Sequence, residues 1–161
     1  MNYDKGSDNM IKVCFVSHDD ICRGPMAEYI MKDKVKKICV EDQFIIVSKA
    51  TTAENSGDDI YYVAKRMLEI NGIYFEGHIV TKLEVDDYNK YDYFICMDDL
   101  SVNETLKIFD LPDSFKVFKI LKDNDIKDPW YEGNFEEVYD EIDKGVNRIL
   151  NMLKVDLKYE R

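Results

Sequence analysis

Residues 13–31 read VCFVSHDDICRGPMAEYIM. The first four residues, VCFV, form a short apolar and β-branched run that predicts a buried strand. Pro25 opens a stretch with apolar residues at helical spacing, which predicts an amphipathic helix from residue 25 to about residue 38. An eight-residue loop, 17–24, joins the two. A buried strand that passes through a short loop into a helix is typical of parallel α/β sheets.

The rest of the chain keeps this alternation of strand and helix. Its apolar patterns predict strands at 44–47, 93–97 and 115–121, and helices at 58–70, 102–109 and 135–153. The sequence therefore predicts one α/β domain with a four-stranded parallel sheet flanked by helices on both faces, in the doubly wound, flavodoxin-like manner. We assign residues 1–10 to a flexible leader and residues 11–161 to the domain. Ligands of such sheets bind beyond the carboxyl ends of the strands, which directs attention to the loop after the first strand.

Composition and charge exclude several kinds of partner. The 161 residues carry a formal net charge of −11, which argues against nucleic acid and against an anionic membrane surface. The chain lacks an apolar run of the roughly 18 residues that span a bilayer. Four irregularly spaced cysteines form no metal-binding motif and favour reduced thiols in a cytoplasmic protein. We expect no metal and no cofactor.

The loop 17–24 has two features that are typical of an anion-binding site. Unpaired backbone N–H groups and the positive end of a helix dipole converge where a strand leads into a helix N-terminus. The guanidinium of Arg23 could fold over this loop and bind two oxygens of a phosphate. An ordinary connection with one exposed arginine would look the same, so the loop alone does not decide between these interpretations.

Several segments together resemble the low-molecular-weight protein tyrosine phosphatases. The loop of that family typically reads FVC, then one apolar residue such as Leu, then GNICRSPMAE. The similarity begins in VCFVSHDDICRGPMAEYIMKD and continues through SKATTAENSGDDIYYVAKRMLEINGI, GHIVTKL and YDYFICMDD to DPWYEGNFEEVYDEI. The resemblance implies hydrolysis of phosphotyrosine or small aryl phosphates. A cysteine thiolate attacks phosphorus, an aspartic acid protonates the leaving phenol, and water releases phosphate from the phosphocysteine.

The resemblance also assigns roles to residues of this chain. Arg23 would bind the phosphate, Asp128 would be the general acid, and Trp130 and Tyr131 would flank the substrate ring. Two further residues, Ser48 and His78, match a hydrogen-bond network that supports the loop. The partners implied are a phosphotyrosine protein or an aryl phosphate, with a phosphate-like or sulfate-like anion in the loop. The remaining loop positions expected to surround the substrate are His18, Asp19, Asp20, Ile21, Cys22 and Gly24.

Four departures from the family pattern fall within eight residues. Ser17 stands where the family has its nucleophilic cysteine, Asp19 and Asp20 replace Gly-Asn, and Gly24 replaces a serine. A hydroxyl ionises far less readily than a thiol, so Ser17 is expected to be a very poor nucleophile. A carboxylate roughly 5 Å from a phosphate charge opposes binding by about 3 kcal/mol at an effective dielectric constant near 20. We therefore expect severely impaired activity.

Other functions remain open on the sequence alone. A non-catalytic pseudophosphatase could hold phosphotyrosine or a protein partner without turnover. A protein-arginine phosphatase usually has threonine at the position of Ile21, and an arsenate reductase needs downstream redox cysteines that Cys96 does not match. A cation site built from Asp19, Asp20 and Asp128 has no motif to support it.

Overall fold

In the computed structural model, which describes residues 10–154, four parallel strands form one sheet. The strands are β1 (Ile11–Ser17), β2 (Phe44–Ala50), β3 (Tyr93–Cys96) and β4 (Val117–Lys119), in the order β2-β1-β3-β4. Strand β1 pairs with β2 along its whole length and with β3 from Val13 to Val16. This confirms the predicted four-stranded parallel sheet. The proposed leader lies almost wholly outside the described residues.

The described part of the chain contains five α-helices. They are α1 (Arg23–Lys37), α2 (Tyr62–Ile70), α3 (Asp99–Phe109), the short α4 (Pro129–Glu132) and α5 (Phe135–Met152), with two short 3₁₀ helices at Glu41–Gln43 and Val85–Asn89. Helix α1 packs on α2 and α5 on one side of the sheet, and α3 packs on β3 and β4 on the other. Within the described residues, no helix is both long and apolar enough to cross a membrane.

The alternation of side chains along β1 explains why both faces are covered. Val13 and Phe15 belong to the core beneath α1 and α5, whereas Cys14 and Val16 belong to a second core beneath α3. All four side chains are fully buried. A strand that is apolar on both faces is typical of a parallel sheet covered on both sides. Because β1 is an inner strand of the sheet, its carboxyl end lies between β2 and β3.

The structure corrects several predicted boundaries. Helix α2 begins at Tyr62 rather than at residue 58, because the preceding backbone bonds elsewhere: the N–H of Val80 donates to the carbonyl of Asp58 at 2.8 Å. Helix α1 begins two residues before Pro25, and α3 begins at Asp99, capped by the carboxylate of Asp98. Strand β4 is only three residues long, and the sequence did not predict helix α4.

Candidate active site

Ser17 is the last residue of β1, and its side chain is fully buried at the base of the loop. Its Oγ accepts a hydrogen bond from the backbone N–H of Asp20 at 3.1 Å. The loop is also tied to the end of β2, because the carbonyls of Ser17 and His18 accept from the N–H groups of Thr51 and Thr52 at 3.0 and 3.2 Å. The loop closes against the N-terminus of α1, where free backbone N–H groups favour an anion.

Arg23, the first residue of α1, is held in place by two strong hydrogen bonds. Its Nη1 donates at 2.7 Å to Oδ2 of Asp98 and at 2.7 Å to the carbonyl of Ile126. Its Nη2 lies 3.9 Å from Oδ2 of Asp128, and the arginine is only 2% exposed. The charge of Arg23 is the main interaction that holds the pKa of Asp98 below its usual range, against the opposing effect of burial. The guanidinium is therefore fixed before any ligand arrives.

Asp128 lies at the start of α4 on the rim of the site. Its Oδ1 accepts from the N–H of Trp130 at 3.0 Å, as an N-cap does, which leaves Oδ2 directed towards Arg23. Trp130 is half exposed and Tyr131 is largely exposed. The Trp130 ring packs edge-on against Tyr61, with ring centroids 4.6 Å apart. The predicted acid and the predicted aromatic residues thus lie together at one rim.

Asp20 turns inward, away from the rim. It is fully buried, its backbone is left-handed at φ 58°, and its Oδ2 lies 2.8 Å from Nε2 of His78. Its Oδ1 has no hydrogen-bond partner among the described residues and occupies the space that a Cβ on Gly24 would need. Burial raises the pKa of Asp20 to about 6, although the hydrogen bond from His78 opposes this shift.

The supporting network therefore differs from the one that the resemblance implies. Replacement of the family serine by Gly24 predicts a His78 without its usual partner, yet His78 is paired with Asp20. Ser48 donates its hydroxyl to Oε1 of Glu28 at 3.0 Å, and it also acts on Asp20, whose pKa it lowers. This carboxylate also binds the ammonium of Lys32 at 2.6 Å. The buried Asp20 carboxylate thus binds His78 in place of the serine that this chain lacks at position 24.

Asp19 and His18 line the outer part of the loop. Burial, followed by the negative charge of Asp128, raises the pKa of Asp19. The Nδ1 atom of His18 lies 2.9 and 3.1 Å from the two carboxylate oxygens of Glu104, which also accepts from Thr51 Oγ1 at 2.9 Å. The hydrogen bond to Glu104 is the main cause that raises the pKa of His18. These contacts fix the loop to helix α3.

The cysteines near the loop are buried thiols. Cys14 lies within β1 in the core beneath α3, and its Sγ contacts the carbonyl of Phe15 at 3.7 Å. Cys22 directly precedes α1 and is 1% exposed, while Ile21 packs against the core. Burial is the first cause that raises the pKa of both thiols. All four cysteines of the chain lie in the described part, and all are free.

The carboxylates of Asp20 and Asp128 have separate partners. Residues 10–154 contain no group of three His, Cys, Asp or Glu side chains arranged to hold a metal ion. Asp20 is paired with His78 beneath the loop, whereas Asp128 is on the rim near Arg23. This arrangement does not support the hypothesis of a cation site built from Asp19, Asp20 and Asp128.

The structure brings most of the predicted site residues together, and it adds others. The loop residues, Arg23, Asp128, Trp130 and His78 meet around the start of α1. Sequence reasoning missed the residues that hold them: Asp98, Glu104, Thr51 and Tyr61. Asp98 carried a signal, since it directly follows the predicted third strand, residues 93–97, at the edge of the sheet where ligands bind. The others carried no motif.

Comparisons with known proteins agree with this geometry. A family model described as low molecular weight phosphotyrosine protein phosphatase matches residues 12–159. The low molecular weight protein-tyrosine-phosphatase PtpA of Staphylococcus aureus is 30% identical over 152 residues, which span 91% of this chain and 96% of that protein. The crystal structure of SP-PTP, a low molecular weight protein tyrosine phosphatase from Streptococcus pyogenes, superimposes with a TM-score of 0.86 at 31% identity, covering 94% of this chain and all of that one. A Drosophila arginine phosphatase superimposes with a TM-score of 0.81 at 28% identity, covering 91% and 99% of the two chains.

Proposed function

Because the chain belongs to the low molecular weight phosphotyrosine protein phosphatase family, we propose that it recognises aryl phosphates while its hydrolytic activity is severely impaired. One observation carries this proposal: the side chain at the base of the loop is the hydroxyl of Ser17. The family reaction needs a thiolate that attacks phosphorus and later leaves it. Each pKa unit by which a nucleophile is harder to ionise costs about 1.4 kcal/mol.

Cys14 is the thiol nearest to the loop along β1, and we propose that it is a core residue. Its side chain packs in the cluster beneath α3, whereas Ser17 continues the face of Val13 and Phe15 towards α1. Burial raises the pKa of Cys14, which keeps this thiol protonated at neutral pH. These features support the assignment of the nucleophile position to Ser17.

Other parts of the phosphatase machinery retain suitable geometry. Arg23 is fixed by Asp98 at the N-terminus of α1, where its guanidinium can bind the equatorial oxygens of a phosphate. Asp128 Oδ2 lies 3.9 Å from Nη2 of the same guanidinium, and we assign to this carboxyl the protonation of a leaving phenol oxygen. The half-exposed Trp130 ring suits an aromatic leaving group. These features favour aryl phosphates over phosphoarginine, the substrate class implied by the name of the Drosophila relative.

The second candidate function is binding without turnover. An arginine held in place before a ligand arrives and an aromatic rim support binding of a phosphotyrosine side chain without a covalent intermediate. Its partner would be a phosphotyrosine protein. The four free thiols support a reducing compartment, and we propose the cytoplasm.

The test is hydrolysis of para-nitrophenyl phosphate between about pH 5 and 7. The chain, Ser17→Cys and Cys14→Ser are compared at equal concentration, after circular dichroism has shown that each variant is folded. We expect negligible turnover by the chain and by Cys14→Ser, and a rate that rises by orders of magnitude in Ser17→Cys.

Two outcomes would overturn the proposal. Robust turnover by the chain itself would show that the Ser17 hydroxyl, or another group, is an effective nucleophile. Turnover that disappears in Cys14→Ser would identify that thiol as the nucleophile. If Ser17→Cys is inactive yet binds a phosphotyrosine peptide as the chain does, binding without turnover becomes the better description.

A further inference from the structure

Asp20 presents a buried carboxylate oxygen that no donor satisfies. The residue is fully buried, and its Oδ2 lies 2.8 Å from Nε2 of His78. The hydroxyl of Ser48 also acts on this carboxylate as a hydrogen-bonding group and lowers its pKa. Oδ1 has no hydrogen-bond partner among the described residues. A buried carboxylate oxygen without a hydrogen-bond donor destabilises the folded protein. This penalty falls when the carboxyl group takes up a proton.

This oxygen lies beside the base of the anion loop. Oδ1 fills the volume of a side chain at Gly24, and Ser17 Oγ lies 3.1 Å from the same Cβ position. The backbone N–H of Asp20 donates to that Ser17 Oγ, so the carboxylate and the loop floor belong to one turn. An oxyanion in the loop would bring further negative charge to within several ångströms of Asp20. At roughly 5 Å such a pair repels by about 3 kcal/mol at an effective dielectric constant near 20.

We propose that the Asp20–His78 pair takes up one proton when a tetrahedral oxyanion enters the loop, so that anion binding and proton binding are coupled. The inference rests on the proposed function only in using the loop as the anion site. A protonated Asp20 would lose its repulsion for the ligand, and its Oδ1 would become a donor beside Ser17. An asparagine at this position could not respond in this way.

The groups around the pair are consistent with this coupling. From helix α1, Glu28 adds a negative charge that disfavours ionised Asp20. The backbone N–H of His78 donates to Oδ1 of Asp59 at 2.9 Å, which holds the histidine in position. In the loop, Asp19 adds negative charge near the ligand, while Arg23 adds positive charge on the ligand side. Burial raises the pKa of Asp20 to about 6, so the carboxyl titrates in an accessible range.

The linkage has a definite sign. Above the pKa of Asp20 in the free protein, binding an oxyanion requires uptake of a proton from solvent. The dissociation constant then rises about tenfold per pH unit. Below that pKa the proton is already present and affinity becomes independent of pH.

Sulfate is the probe, because its own charge stays constant over this range. Isothermal titration calorimetry of the full chain between about pH 5 and 8, in buffers with different ionisation enthalpies, gives both affinity and proton uptake. For the chain, we expect affinity to fall about tenfold per unit above about pH 6 and one proton to be taken up. His18 is a loop histidine whose pKa is raised by its hydrogen bond to Glu104, so it also titrates in this window, and the comparison is made in a His18→Gln background. In that background, Asp20→Asn should bind sulfate with a flat pH profile and no proton uptake.

Asp19→Asn is the matched control, because Asp19 is also a loop carboxyl with a raised pKa. It should bind sulfate more tightly at every pH while keeping the slope of the chain. Should Asp20→Asn not fold, His78→Gln provides a second test. Loss of the histidine cation should raise the pKa of Asp20 further and move the fall in affinity to higher pH.

Three results would overturn the inference: a slope that persists in Asp20→Asn, a slope lost in Asp19→Asn instead, or no sulfate binding by the chain at about pH 5. These results are distinct from a failure of the proposed function. Hydrolysis of an aryl phosphate by the Ser17 chain would refute that function, whereas it would leave the sulfate profile intact.

Discussion

The carboxylate of Asp20 occupies the volume that a side chain on Gly24 would need. Asp20 and Gly24, two of the four differences from the family pattern, therefore depend on each other through packing. The left-handed backbone of Asp20, at φ 58°, turns its side chain beneath the loop to reach His78, and the absence of a side chain at Gly24 makes room for it. Asp20 is accordingly a buried structural residue as well as a charge near the anion site.

This shared volume predicts a strong coupling between the two positions. Gly24→Ala should lower the free energy of unfolding by about 1–3 kcal/mol, because the new Cβ overlaps Asp20 Oδ1. In an Asp20→Gly background, which also suits the left-handed backbone, the same substitution should cost much less. Urea unfolding of the four proteins gives the coupling energy. Additive effects would show that the two residues do not share this space.

Arg23 should contribute to stability as well as to ligand binding. Arg23→Met would leave the largely buried Asp98 carboxylate without its cation, at a cost of about 3 kcal/mol in the free energy of unfolding. The matched control is Arg66→Met in α2, since Arg66 is exposed and should change stability by no more than about 0.5 kcal/mol. Equal effects of the two substitutions would contradict the role assigned to the ion pair.

The Asp20–His78 pair should make the protein less stable as pH rises. The folded-state pKa of Asp20 is raised to about 6, so its contribution is complete below the unfolded pKa and is lost as pH rises through about 6. The pKa of His78 is also raised, so its contribution is lost at higher pH still. The shift at Asp20 corresponds to about 3 kcal/mol between about pH 4 and 7.

Chemical unfolding at a series of pH values checks this expectation. Asp20→Asn should have a flatter profile over the same window. The lowered pKa of Asp98 acts in the opposite sense, but its contribution is lost only as pH falls below about 4. A chain whose stability rises from about pH 5 to 7 would contradict a raised pKa for the buried Asp20 carboxyl.

Trp130 should affect ligands with an aromatic ring and leave simple anions alone. Trp130→Ala should weaken binding of a phosphotyrosine peptide about three- to tenfold, the usual worth of one aromatic contact, with sulfate affinity unchanged. Phe115→Ala is the control, because Phe115 is 84% exposed and precedes β4. An equal loss of sulfate binding would mean that Trp130 supports the loop itself and does not face the ring.

His18 offers a test of how the loop is fixed to helix α3. The hydrogen bond with Glu104 raises the pKa of His18, so Glu104→Gln should return that pKa towards the ordinary histidine value. Proton NMR titration follows the two histidines of the chain separately, and His78 serves as the internal control because it should not move. An unchanged His18 titration would show that the Glu104 contact is absent in solution.

Much of the fold was predictable from local patterns. The apolar runs of β1 and β3 and the helical spacing of α1 and α5 each lie within one stretch of sequence, so periodicity finds them. The start of α2 was not predictable in this way. The Asp58 carbonyl bonds to the N–H of Val80, a contact between segments far apart in the sequence, and such a contact overrides local helix propensity.

The candidate site shows the same division. Ser17, Arg23 and Asp128 could be located from the resemblance, but the partners of Arg23 come from the end of β3 and from Ile126. The pairing of His78 with Asp20 was not predictable, because the resemblance assigns the histidine to a serine that this chain lacks. A substitution that supplies a new partner is visible only when the packing around it is known.

The overlap of Asp20 with position 24 also restricts the order in which this loop could change. A serine cannot be introduced at Gly24 while the Asp20 carboxylate remains in its present place. A variant with a cysteine at Ser17 would therefore still lack the neighbouring serine until Asp20 had been replaced or displaced. Because the two positions share one volume, a serine at position 24 requires a prior change at Asp20.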